Sequence, residues 1–323
     1  LVSVDTTSCT GLCDQGPGLL VNGRAIARIT PERLDRIAEL ILAQTPMEDW
    51  PAELFAIEDT VCRSDILLHH GLQPGDALRA AIARGAEAQA ELAANARSWR
   101  EANINAPSGP LATLEEIKRS NLRGRGGAGF TTGLKWEACR NAPGIDRYVV
   151  CNADEGEPGT FKDRVLIHAD PHMLIEGIVL AAWSVHADRG VIFIRPEYEN
   201  AARILERELG VARENGYLGR DILGTTYSFD IVVHRSAGRY ICGEVTAQLN
   251  ALMGRRPNPK QPPPYATEKG LWHRPTLAHN VETLACLPHI VRNGAEWFKK
   301  LALTPAGAGT KIFGISGKVR RPG

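Results

Sequence analysis

The sequence predicts an α/β fold with a partly parallel sheet, on three observations. Three short apolar runs, residues 147–152, 190–195 and 229–234, read as buried strands. Two longer apolar-periodic stretches, 171–186 and 199–215, fall between them and read as helices. Strands alternating with helices imply crossover units and a parallel sheet. The first strand also runs straight into an acidic loop, placing that loop at the carboxyl end of the sheet, where α/β ligands bind.

Composition sets the bounds. The chain has 323 residues, 38 basic against 37 acidic, and 43% hydrophobic content. That suits about two globular domains. A net charge of +1 gives no reason to invoke nucleic acid or a membrane surface. The longest apolar stretch, 177–185, falls far short of the roughly 18 residues of a membrane span. Seven cysteines, an odd count, argue against a disulfide framework and for a reducing compartment. The start lacks the basic n-region of a signal peptide. Both ends read as cut from a longer polypeptide.

Residues 1–45 form the first unit. Val2 to Val4 reads as a strand, 9–18 as a turn-rich loop, and 19–29 as two strands around Asn22 and Gly23. Thr30 caps a helix with Pro31 at its first position, carrying Leu34, Ile37, Ile41 and Leu42 at helical spacing. Residues 46–109 read as a helical connector, with a long alanine-rich helix from Asp76 toward Arg100. The main domain covers 110–305. A helix at 111–120 leads into the glycine loop Gly124-Arg-Gly-Gly-Ala-Gly129. Residues 306–323 begin a further unit, with 310–316 reading as a strand.

The glycine loop fits the string G-x-G-x-x-G literally, but a helix precedes it. A dinucleotide fingerprint needs a strand there and an acidic residue on a second strand about twenty residues on; Asp146 has the spacing but sits in a turn. The glycines still permit unusual φ values and turn several N–H groups toward one anion. Arg125 and Lys135 add donors. The second constellation, Asn152-Ala-Asp154-Glu155-Gly-Glu157, reads either as a plain acidic turn or as acceptors for a ligand's hydroxyls. The third, Tyr240-Ile-Cys-Gly243-Glu244, is weak alone, and Cys242 reads as core. Cys9 and Cys13 read as two free thiols or as half of an iron–sulfur ligand set.

Together these stretches resemble one family. Residues 123–136, 150–164, 240–244 and Asn280-Val-Glu-Thr-Leu284 look like the flavoprotein subunit of respiratory complex I. They also resemble its soluble relatives, the diaphorase subunits of NAD-reducing nickel–iron hydrogenase and of NAD-dependent formate dehydrogenase. Residues 1–45 are similar to the second half of a thioredoxin-like 2Fe–2S domain. Its fusion ahead of the flavin domain favours the hydrogenase diaphorase.

The resemblance implies a complex I flavoprotein-type domain with non-standard Rossmann-like topology, followed by a truncated ubiquitin-like domain. It implies FMN held by Gly124, Arg125, Gly126, Gly127, Lys135, Asn152, Asp154, Glu155, Tyr240, Gly243, Glu244, Asn280 and Thr283. NAD(H) would contact Ala128, Phe130, Glu157 and Tyr265. Hydride exchange between NAD(H) and FMN then feeds single electrons to iron–sulfur clusters, so no catalytic acid or base is implied. Cys9 and Cys13 would ligate a 2Fe–2S cluster, and a 4Fe–4S cluster would lie beyond Gly323. Implied partners are a small iron–sulfur subunit and hydrogenase or formate dehydrogenase catalytic subunits, in the cytoplasm, without direct membrane insertion. Val245, Pro262 and His279 depart from the family's usual Glu, Lys and Asn. Val245 opens the choice between NADH and NADPH. The competing readings are a plain Rossmann dehydrogenase and a flavin-free docking scaffold.

Overall fold

A computed structural model describes residues 2–61, 66–68, 71–95, 109–144, 146–304 and 306–323. Strands β1 (Leu19–Val21) and β2 (Arg24–Ile26) pair antiparallel, Leu19 against Ile26. Asn22 and Gly23 take φ of 47° and 82°, as a two-residue hairpin of this twist requires. Helix α1 (Pro31–Leu42) starts where expected, with Thr30 Oγ1 accepting from the Arg33 N–H at 3.3 Å. Its Ile37 and Leu40 pack with Ile26, Trp50, Leu54 and Phe55 in a small core. Leu34 and Leu42, expected on that face, are exposed. The segment around Val2 to Val4 forms no strand; it has no sheet partner among the described residues.

Helix α2 (Asp76–Asn95) follows; the expected continuation to Arg100 lies outside the described residues. Glu176 receives the Gly75 and Leu78 N–H groups at 3.2 and 2.7 Å, anchoring the start of α2 to the main body. Helix α3 (Gly109–Arg119) enters the glycine loop and α4 (Thr132–Asn141) leaves it. Then come β3 (Tyr148–Ala153), α5 (Lys162–Ala169), α6 (Pro171–Val185), β4 (Arg189–Ile194), α7 (Glu199–Glu214) and β5 (Asp230–Arg235). The remainder is α8 (Val245–Leu252), α9 (Ala266–Lys269), β6 (Thr276–Asn280), α10 (Val281–Asn293) and α11 (Ala295–Lys300).

The main sheet has the order β5-β4-β3-β6, and every pair is parallel. Its central strands are buried on both faces, so they read as continuous apolar runs. Val149, Cys151 and Ala153 face the large core shared with α3, α6 and α10. Val150 faces the other way, toward Cys242, Leu249 and Leu271. Each fully buried Leu or Ile here contributes about 1.5–3 kcal/mol. The chain runs outward from β3 to β4 and β5, then returns to place β6 on the other side of β3. The strand order therefore reverses between β3 and β6, the place where such sheets open a ligand crevice. Residues 310–316, expected as a strand, take no strand conformation. Their polar backbone is used elsewhere: the Thr310 carbonyl accepts from Arg125 Nε at 3.2 Å, and the Ile312 N–H donates to Glu282 at 3.0 Å.

Candidate functional site: a cleft at the carboxyl end of the sheet

An open cleft of about 510 Å³ lies at the β3–β6 reversal. Its wall brings together Arg125, Gly126, Gly127, Asn152, Asp154, Glu155, Glu157, Tyr240, Gly243, Glu244 and Asn280, which the sequence singled out.

The glycine loop folds back on itself. Gly124 N–H donates to the Phe130 carbonyl at 2.9 Å and Thr132 N–H to that of Leu122 at 2.8 Å. Gly126 and Gly127 are thereby left exposed at the tip. A β-carbon on Gly126 would lie 3.1 Å from Asn280 Cβ, a tight contact, and Gly127 sits at φ 122°, where a side chain is strained. Among the described residues, neither tip N–H has an acceptor. Thr283 Oγ1 fixes the loop by accepting from the Arg125 N–H at 2.9 Å. The Arg125 guanidinium is committed to the Arg123, Ala308 and Thr310 carbonyls.

Three helix N-termini converge on the cleft, each with a side-chain cap that lines it. Glu155 accepts from the Asp163 and Arg164 N–H groups of α5 at 3.0 and 3.2 Å. Glu244 accepts from Ala247 N–H of α8 at 2.9 Å. Asn280 Oδ1 accepts from Glu282 N–H of α10 at 3.0 Å. Such termini carry partial positive charge and favour anions.

Burial shapes the acids. Desolvation pushes Asp154 up to about 6, although Ser236 Oγ donates to it at 2.9 Å. Desolvation and then repulsion from Asp163 push Glu155 up to about 8; Tyr198 O–H also donates to it at 2.9 Å. Glu157 is exposed and accepts from Tyr240 O–H at the rim.

Other expected residues lie elsewhere. Gly124 lines a neighbouring groove on the far side of the loop. Lys135 is carried by α4 to the sheet edge, where its Nζ donates to the Ala278 carbonyl at 2.5 Å; burial lowers it to about 8. It is absent from the cleft lining, as are Ala128, Phe130, Tyr265 and Thr283. Ala128, Phe130 and Tyr265 are exposed. Beside Lys135, Trp136 Nε1–H donates to His279 Nε2 at 2.9 Å.

The sequence reading missed Lys162 and Asp163, which line the cleft floor. Their signal was a Lys–Asp pair directly after the acidic loop, at the start of a helix. Cys9 and Cys13 lie close enough to interact, and burial first, then the neighbouring Cys9, raises the Cys13 thiol. No group of three or more metal-ligating side chains forms among the described residues. Nor is any single helix there long and apolar enough to cross a membrane.

A cleft at the strand reversal, with a glycine loop delivered by a helix, defines an α/β ligand-binding protein outside the plain Rossmann dehydrogenases; that competing reading is excluded by α3. Residues 117–289 match the family model described as the Nuo51 FMN-binding domain, and the chain belongs to that family. It is 50% identical over 214 residues to an NADH-quinone oxidoreductase subunit of Rhizobium meliloti (strain 1021), covering 66% of this chain and 51% of that protein. It is 37% identical over 324 residues to NAD-reducing hydrogenase HoxS subunit alpha of Cupriavidus necator, covering 98% of this chain and 51% of that one. A crystal structure of an air-oxidized NAD+-reducing NiFe-hydrogenase superposes with a TM-score of 0.76 at 38% identity, over 98% of this chain and 50% of the other. The chain thus spans about half the length of these relatives.

Proposed function

We propose that the chain is the flavin-bearing part of a diaphorase subunit, an NADH:acceptor oxidoreductase module of the NAD-reducing hydrogenase type, with FMN in the cleft. One observation carries this reading: an open glycine tip faces the strand reversal where three helix N-termini meet. The donor set fits a flavin phosphate and ribityl chain. The exposed Gly126 and Gly127 N–H groups, which have no acceptor among the described residues, would hold the anionic end. Asn152, Asp154, Gly243, Glu244 and Asn280 would meet the polar chain and ring edge. When bound, FMN supplies hydride exchange with NAD(H) and release of single electrons.

The chain's own residues supply orientation and electrostatics. Burial and the nearby Asp163 raise the Glu155 carboxyl, which favours its neutral form and so lessens negative charge beside the ligand. Tyr240 and Glu157 stand at the rim, where NAD(H) would enter, and Ala128, Phe130 and Tyr265 would offer it exposed surface. Lys135 and Thr283 would act through the sheet edge and the loop backbone.

The hydrogenase type is favoured because similarity to HoxS subunit alpha covers 98% of the chain, including the residues before the family model. The alternatives are the equivalent subunit of complex I or of formate dehydrogenase. A 2Fe–2S cluster at Cys9 and Cys13, a 4Fe–4S cluster in the rest of the protein, a small iron–sulfur partner and a cytoplasmic location belong to the same reading. The test is reconstitution. Purified protein should take up FMN with a yellow absorbance and reduce a dye with NADH. Glu157→Gln should cut that activity while leaving FMN bound. A preparation that stays colourless with FMN sinks the reading, and a Glu157→Gln variant with full activity in the assembled complex supports the docking scaffold instead.

A further inference from the structure

Lys162 is the only side chain common to the cleft, the neighbouring groove behind the glycine loop and the pocket beside Phe161, among the cavities of the described residues. Its Nζ lies 2.7 Å from Asp163 Oδ1, 3.0 Å from Asn280 Oδ1 and 3.1 Å from Glu282 Oε2. Three donors thus meet three acceptors. The side chains of Asp163 and Glu282 are only 4% and 2% exposed. Asn280 Nδ2 donates to Asp163 Oδ2 at 2.6 Å, so the amide is held at both ends. Glu282 also accepts the Ile312 N–H, and Arg125 Nε lies 4.0 Å from it.

We infer that Lys162 is a positioning residue of the cleft: its ammonium orients the Asn280 amide and neutralises Asp163 and Glu282 beneath the glycine tip, so that an anionic ligand can settle there. The inference rests on the FMN reading. With its three donors spent, Lys162 does not itself reach the ligand; it acts through Asn280 and through the local charge. Burial opposes the ammonium, but Asp163 and Glu282 outweigh it and raise its pKa, so it stays charged at every working pH. Without it, the buried Asp163 would lose its ammonium partner and Glu282 would keep only Arg125, 4.0 Å away, beside an anionic ligand in a medium of low effective dielectric.

The experiment compares the parent, Lys162→Met, Lys162→Arg and the charge-balanced pair Lys162→Met/Glu282→Gln. FMN affinity is read by quenching of flavin fluorescence, the potential of the bound flavin by spectroelectrochemical titration, and folding by circular dichroism. Lys162→Met should weaken FMN by about tenfold or more and move the flavin potential to more negative values, because added negative charge disfavours the reduced, anionic ligand. Lys162→Arg, which keeps the charge, should stay nearer the parent, and the double variant should recover most of both changes. Equal affinity and potential in parent and folded Lys162→Met overturns the inference while leaving the FMN reading intact. If Lys162→Met does not fold, the double variant decides: near-parental binding supports charge balance, and binding weakened by about tenfold or more overturns it. Failure of the parent to bind FMN overturns the FMN reading and this inference with it.

Discussion

Asn152 and Asn280 stand opposite each other in register at the carboxyl ends of β3 and β6. Asn152 Nδ2 donates to the Gly243 carbonyl at 2.8 Å, and its Oδ1 accepts from the Asp154 N–H at 3.2 Å. It therefore ties the 240–243 turn and the acidic loop to one strand end. Asn152→Ala removes both bonds, at about 1 kcal/mol each. The expected result is a loss of about 1–2 kcal/mol in urea unfolding and a much smaller rise in melting temperature on adding FMN. An unchanged FMN-induced rise would show that this amide does not order the site.

Gly177 brings α6 against α10. A β-carbon there would lie 2.1 Å from the Leu284 carbonyl oxygen. Backbone cannot move aside as a flexible side chain can, so the two helices must part. Gly177→Ala should cost about 3 kcal/mol or more, read as a lower urea midpoint. A change within about 0.5 kcal/mol would mean that the helices are not held in this approach.

The sequence exposed the frame of the molecule more fully than its site. Parallel strands buried on both faces leave apolar runs such as Val149 to Cys151 and Ile192 to Ile194, and these were legible directly. The helix read over 111–120 does enter the glycine loop, and its Leu114 and Ile117 are buried in the core. Lys162 was not legible, because its partners Asn280 and Glu282 lie about 120 residues away and only the β6 return brings them together. Lys135 is placed by the complementary effect: ten residues after Arg125 in sequence, its ammonium is carried by α4 to the Ala278 carbonyl. Lys311 to Ile315 has the branched and aromatic composition of a strand, yet its backbone serves Glu282 and its neighbours instead of a sheet.

Asp154 makes stability depend on pH. Burial holds its carboxyl at about 6, with Arg195 favouring and Glu197 opposing the charge. The unfolded value is near 3.9. Between these values the folded protein keeps a proton that the unfolded chain releases, so stability falls as pH rises from about 4 to about 6. Asp154→Asn cannot ionise and keeps an acceptor for Ser236. It should be more stable than the parent by about 1–3 kcal/mol at pH 7, with the difference shrinking toward pH 4. Parallel stability curves from urea titrations across that range would contradict the argument.

Arg164 and Asp14 form a buried ion pair at 2.5 Å, with side chains 4% and 0% exposed. Arg164 Nε also donates to the Gly11 carbonyl at 3.2 Å, and Thr60 Oγ1 donates to Asp14 at 2.6 Å. Burial works against the Asp14 charge, but Thr60, Arg164 and Gln15 outweigh it and hold its carboxyl below the usual range. Removing one partner of such a pair costs about 3–5 kcal/mol, because the other is left charged and buried. The pair joins residues 150 positions apart, so the loss should fall on the attachment of the cysteine loop. Arg164→Met should speed hydrogen exchange at Gln15 and Arg28, whose N–H groups bond the Leu12 and Gln15 carbonyls. Asp14→Asn added to Arg164→Met should recover part of that protection, since it removes the stranded charge. Equal exchange in parent and Arg164→Met would mean that the apolar contacts of Leu12, Ala25 and Ala27 hold the loop by themselves.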